Sequence, residues 1–145
     1  MISLYESIRE IYVLLEVEIA QALAAFGLRT DHYNALRILA VDDRVRMGEL
    51  ASRLLQDDSR TTRVVDALEG ERLVERRPDP EDRRALLVAI TRAGRRRERE
   101  ATAAVSQAIT GTLPGLSGAE IASVTATLGM LKDRIDAAHH GGSNE

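Results

Sequence analysis

Residues 46–91 constrain this chain more than any other stretch. Within them, 48–55 has the length of a short helix with Leu50, Ala51 and Leu54 on one side. The cluster Gln56-Asp57-Asp58-Ser59 opens a second helix, with Asp57 as the N-cap whose carboxylate accepts from first-turn N–H groups. Val64, Val65 and Leu68, with Thr61 one turn earlier, form its inward face, and Ser59, Arg60, Thr62 and Arg63 point away. Residues 73–77 then alternate, Pro78 breaks the run, 79–84 make a charged tip, and 85–91 return as a hairpin partner. Helix, turn, helix and hairpin in that order describe a winged helix-turn-helix, a module that reads DNA.

The flanks read as helices. Leu4, Ile8, Ile11, Tyr12, Leu15, Ile19, Leu23 and Phe26 recur every three or four residues, marking one face of a helix over 3–26. Ser3 with Glu6 is a capping-box pattern at its start, and Gly27 ends it. Val13, Leu14 and Val17 extend the apolar surface to a second side. Thr30 is the expected cap of a helix over 32–41, Asp42-Asp43 a turn, and 45–47 a minimal edge strand. Thr91 is the expected cap of a helix running through Gly94 to Pro114-Gly115. Ser117 with Glu120 forms another capping box, and Ile121, Val124, Leu128, Leu131, Ile135 and Ala138 follow as an a/d seam. Residues 139–145 read as a frayed polar tail.

Charge decides what such a module can touch. The chain carries a net −3, which argues against nucleic acid as a partner. Its distribution argues the other way. Residues 44–99 hold 15 Arg against 11 acidic residues, so the middle of the chain is net positive between two acidic ends. With no cysteine, thiol redox sensing, thiolate metal sites and cysteine nucleophiles are excluded. There is no apolar run of membrane-span length and no export-signal pattern, so a cytoplasmic protein without a membrane partner is expected. No clustered His with carboxylates, Gly-rich phosphate loop or paired carboxylates supports an enzyme, a metal site or a cofactor.

The run LASRLLQDDSRTTRVVDALEGERLVERRPDPEDRRALLVAITRAG resembles the MarR (multiple antibiotic resistance regulator) family of winged-helix transcription factors. GLRTDHYNALRILA and LPGLSGAEIASVTATLGMLKDRI resemble the family's second and closing helices, so the likeness spans most of the chain. It implies a mainly α fold with a small β-hairpin wing, in one domain over 1–145. Dimerisation helices are expected at 1–28 and 110–140, the DNA-binding lobe at 30–100 and a flexible tail at 141–145. It also implies a homodimeric regulator of transcription, expected to be a repressor, that binds a palindromic operator in double-stranded DNA.

On this reading Arg60 or Arg63 reads a base in the major groove, while Ser59 and Thr62 mainly hold phosphates. Arg84 matches the family's wing-tip arginine in the minor groove, and Asp82 the carboxylate that pairs with it. Arg83, with Arg76 or Arg77, would lie along the DNA backbone. Tyr12, Phe26, His32, Tyr33 and Arg37 are a candidate pocket for a small-molecule effector, though plain core packing would use the same residues. The chain departs from the family at Leu55 and Arg72, where glycine is usual, at Asp58, often lysine, and at Thr61, usually apolar. Gly70 is the expected substitute for the glycine missing at the second of these helix ends. Asp58 either caps the helix in place of Asp57 or accepts from a cytosine amine. A winged helix used to bind proteins, or a DNA binder without an effector, are the rival readings. Arginine rather than apolar side chains at the wing tip separates the first of these from a DNA reader.

Overall fold

The computed structural model describes residues 2–113 and 115–141. Six helices and three strands follow in the order α1 (Ile2–Ala24), α2 (Thr30–Asp42), β1 (Arg44–Arg46), α3 (Met47–Leu54), α4 (Asp58–Gly70), β2 (Val74–Pro78), β3 (Leu86–Ile90), α5 (Arg92–Thr112) and α6 (Gly118–Gly141). This is the mainly helical, winged architecture that the sequence predicts. The chain forms two compact units, one ending at Thr112 and the other beginning at Leu113. The second holds α6.

The first unit is built on an aliphatic core. Leu23 from α1, Leu36 and Leu39 from α2, Leu50 from α3, and Val64, Val65 and Leu68 from α4 are all buried there. Val74, Val88, Ala101 and Val105 close it from the sheet and α5. The strands pair antiparallel in the order β1-β3-β2, with Val88 opposite Val45 on one side and Arg76 on the other. β1 is thus the edge strand expected at 45–47, shifted back by one residue. Pro78 does not break β2 but ends it, paired with Leu86, on an outer strand where its missing N–H costs no ladder bond.

Local signals set most helix ends. Asp57 Oδ1 accepts from the Arg60 N–H at 2.7 Å, so Asp57 and not Asp58 is the cap of α4. Thr91 Oγ1 accepts from the Gly94 N–H at 3.0 Å and donates to the carbonyls at the head of β2. The Ser117–Glu120 box closes as expected, with Ser117 N donating to Glu120 at 2.8 Å. Two expected caps are not used. α1 is already helical at Ile2, and Ser3 lies inside it, its carbonyl accepting from Ser7 Oγ. α2 starts at Thr30, and the first-turn acceptor is the Asp31 carboxylate, which takes the His32 N–H at 2.9 Å. At the other end of the chain α6 runs to Gly141, so 139–141 is helical rather than frayed; 142–145 lie outside the described residues.

The departures from the family pattern sit where the backbone is most demanding. Leu55 occupies the left-handed region at φ 53° and ends α3 with its N–H on the Ala51 and Ser52 carbonyls. A side chain there costs about 1–2 kcal/mol relative to ordinary backbone, which glycine would avoid. Arg72 does the same at φ 59° after α4, while Gly70 has no positive φ and does not take over the helix end. Leu73 N reaches back to the Leu68 carbonyl at 2.9 Å, which forces the positive φ onto Arg72 itself. Gly94 answers a different demand: a Cβ there would stand 2.0 Å from the Leu73 carbonyl oxygen, so only glycine lets α5 start against the sheet.

Thr61 is fully buried on α4 and its Oγ1 has no hydrogen-bond partner among the described residues. An orphaned buried hydroxyl costs on the order of 1–3 kcal/mol, and valine has the same shape without it. Thr61→Val is therefore expected to raise stability by about 1 kcal/mol, read as a higher urea midpoint at unchanged slope; a lower midpoint would show that the hydroxyl is satisfied.

Candidate nucleic-acid interface

Burial divides α4 into two faces. Thr61, Val64, Val65 and Leu68 are buried, and Ser59, Arg60, Thr62 and Arg63 are exposed, as the spacing predicts. Asp58 is exposed in the first turn, where the positive end of the helix dipole favours a carboxylate. Arg60 Nη2 lies 3.7 Å from the Asp31 carboxylate, which is buried and held more closely by Arg29 at 2.7 and 3.2 Å. Burial works against the Asp31 charge, but the Arg29 hydrogen bonds and charge outweigh it and hold the carboxyl below the ordinary carboxylate range. Arg63 makes no ion pair among the described residues. Arg29, Asp31, His32, Arg60 and Arg63 line one cleft of about 650 Å³ between α2 and α4.

The wing is held by a residue that the sequence reading left unassigned. Asp79 is 3% exposed; its Oδ2 accepts from Arg46 Nε on β1 at 2.5 Å and its Oδ1 from the Glu81 N–H at 2.9 Å. The Glu81 N–H first, and then Arg46 against the opposing effect of burial, keep the Asp79 carboxyl below its ordinary range. Its place directly after Pro78, at a strand end, is the signal of an Asx turn and could have marked it. Asp82 is not paired with the Arg84 guanidinium. Its Oδ1 accepts from the Arg84 backbone N–H at 3.0 Å and its carbonyl from the Ala85 N–H at 2.9 Å, so it shapes the tip rather than aiming the arginine.

The tip side chains Arg83 and Arg84 are exposed and carry no ion pair among the described residues. Arg77 pairs with Glu75 on the same strand. Arg76, expected as one choice for a backbone contact, is instead turned inward. Its guanidinium meets Glu69 at 2.5 Å and Asp66 at 2.6 Å, both on α4, and its side chain is 19% exposed.

The five candidate pocket residues do not share a cavity within one chain. Tyr12 is 63% exposed on α1. Phe26 packs against the core. Tyr33 is buried with its hydroxyl 3.0 Å from Thr102 Oγ1, and the Arg37 guanidinium lies 5.9 Å from its ring centre. His32 and Arg37 open onto different clefts. Core packing, the rival use of these residues, accounts for Phe26 and Tyr33. Among the described residues no group of three or more His, Asp or Glu stands close enough to hold a metal, and no helix is long and apolar enough to cross a membrane.

His32 is buried with Nδ1 unpartnered. Burial lowers its pKa from the ordinary 6.5, against the pull of Asp31. The unfolded chain therefore takes up this proton first, and the stability tied to a neutral His32 is present above pH 6.5 and lost as pH falls below it. The expected outcome is a urea midpoint that drops between about pH 7.5 and 5.5, with a smaller drop in His32→Asn. An equal drop in both proteins would remove His32 as the cause.

The MarR family model matches residues 30–86. A MarR family transcriptional regulator from Rhodococcus sp. RHA1 is similar in structure at TM-score 0.80 and 29% identity, over 87% of this chain and 89% of its own. The transcriptional regulator BldR from Sulfolobus solfataricus is similar at TM-score 0.83 and 26% identity, over 92% and 94%. CouR from Rhodococcus jostii RHA1, bound to p-coumaroyl-CoA, is similar at TM-score 0.71 and 28% identity, over 90% and 87%. No curated protein matches the chain in sequence.

Proposed function

We propose that the chain, whose residues 30–86 match the MarR family model, is a transcriptional regulator of that family, a homodimeric repressor binding a palindromic DNA operator. In each protomer α4 enters the major groove and the wing the adjacent minor groove. Arg60 or Arg63 reads a base edge, Ser59 and Thr62 hold phosphates, and Arg84 enters the minor groove with Arg83 and Arg77 along the backbone.

The observation that carries this reading is how the wing and α4 divide their charges. Asp79 is held by Arg46, and Asp66 and Glu69 by Arg76. Arg63, Arg83 and Arg84 make no ion pair among the described residues and face out. Fixed carboxylates and unpaired guanidinium groups on α4 and the wing suit a polyanion.

Dimerisation is supported by apolar faces left bare on each unit. Leu4, Ile8, Ile11 and Leu14 are exposed on α1, and Ile121, Val124, Leu128 and Ile135 on α6. Exposed apolar stripes of that length mark association surfaces. Two recognition helices joined this way would meet successive major grooves roughly 34 Å apart. Release by a small-molecule effector is part of the proposal, on the likeness to CouR, whose structure holds an acyl-CoA.

Capture of genomic fragments by the protein, followed by sequencing, is expected to enrich an inverted repeat with half-sites about one helical turn apart. On that duplex Arg84→Ala should bind about tenfold more weakly, on the order of 1.4 kcal/mol, with unchanged melting. Enrichment without any inverted repeat would remove the palindromic operator, and unchanged affinity of the variant would remove Arg84 from the interface.

A further inference from the structure

The geometry points to Arg76 as a positioning residue that locks the wing to the recognition helix, and not as a contact to DNA. The inference rests on the DNA-binding reading above but concerns a different group of atoms. Arg76 stands in the middle of β2, opposite Val88. From there its Nη1 donates to Glu69 Oε2 at 2.5 Å, and its Nη2 to Asp66 Oδ1 at 2.6 Å and to the Thr62 carbonyl at 3.4 Å. Its backbone N–H completes the set on Glu69 Oε1 at 2.9 Å.

One side chain thus grips three residues spread over two turns of α4. Thr62 lies on the DNA-facing side, while Asp66 and Glu69 follow one and two turns later. The planar fork of arginine suits this use, because each nitrogen is directed and little freedom remains once both carboxylates are engaged. Burial opposes the Arg76 charge, but the hydrogen bonds it donates to Asp66 and Glu69 outweigh it and keep the group charged. The Arg76 backbone N–H and then its side chain lower the Glu69 pKa in turn.

Two consequences follow for binding. The strand that carries Arg77 and leads to the tip is fixed in angle relative to the helix that carries Arg60 and Arg63. Major-groove and minor-groove elements then approach DNA as one body, with the ordering cost met before encounter. Asp66 and Glu69 are also neutralised on the helix that must approach phosphates. Removing Arg76 would free the wing and expose two carboxylates together.

Arg76→Met tests this, with Glu69→Gln as a milder second variant that keeps the arginine. Hydrogen exchange on the free proteins is the first readout. Arg76→Met should speed exchange in the β2–β3 wing and the last turns of α4 while the α2 and α5 amides stay as protected as in the parent. Unchanged exchange there overturns the inference whether or not the protein binds DNA. The second readout is affinity for a random-sequence duplex pool as salt is varied. A positioning role predicts a loss of about tenfold in Arg76→Met at an unchanged slope of log affinity against log salt, since no phosphate contact is removed. It also predicts that adding Glu69→Gln to Arg76→Met costs little more, because both act through one contact. A slope reduced by about 0.9, with additive losses, would make Arg76 a phosphate contact and overturn the inference. A parent protein that binds no duplex would instead refute the DNA-binding reading, leaving exchange to decide the role of Arg76.

Discussion

On a chain with net charge −3, a cationic face is sharpened where the carboxylates beside its arginines are held by partners of their own. That constraint orders the first unit. Asp31 is held by Arg29, Asp79 by Arg46, and Asp66 and Glu69 by Arg76. Arg46 and Arg76 each join two segments, so these pairs also tie the wing to β1 and to α4, while the Arg29–Asp31 pair stays within the start of α2. One member of each pair, Asp31, Asp79 or Arg76, is largely withdrawn from solvent, so these pairs are screened less by salt than fully exposed ones.

The same region carries the chain's local costs. Leu55 is 93% exposed in left-handed backbone, Arg72 takes left-handed backbone before the wing, and Thr61 leaves a hydroxyl unpaired in the core. All three lie at the ends or on the inner face of α3 and α4. Their combined cost is met by the aliphatic core beneath, where Leu50, Val64, Val65 and Leu68 are almost fully buried. The wing carries no such costs, and its backbone follows the pattern that its sequence shares with the family.

Much of this was legible because it depends on near neighbours. Asp57, Thr91 and Ser117 cap their helices through side chains three residues from their partners, a distance that sequence displays directly. The apolar periodicity of α4 separated its two faces correctly. Ser3 and Thr30 failed as caps because helix starts are shared decisions. α1 is already helical at Ile2, before the expected cap, and Asp31 supplied a stronger acceptor than Thr30 at the start of α2. The ties between distant segments were not legible. Arg46 and Asp79 are 33 residues apart, and Arg76 meets Asp66 and Glu69 only because β2 folds back along α4. Asp82 is a local case of a different kind: matched by resemblance to the Arg84 side chain, it accepts instead from the Arg84 backbone N–H of its own turn.

The central claim is that fixed carboxylates leave an arginine surface for a polyanion on an acidic chain. Affinity for double-stranded DNA measured across a range of salt concentrations tests it most directly. The account predicts a steep linear fall of log affinity with log salt, with a slope near −0.9 for each phosphate neutralised. An affinity that does not change with salt, or no binding to duplex even at low salt, would contradict it.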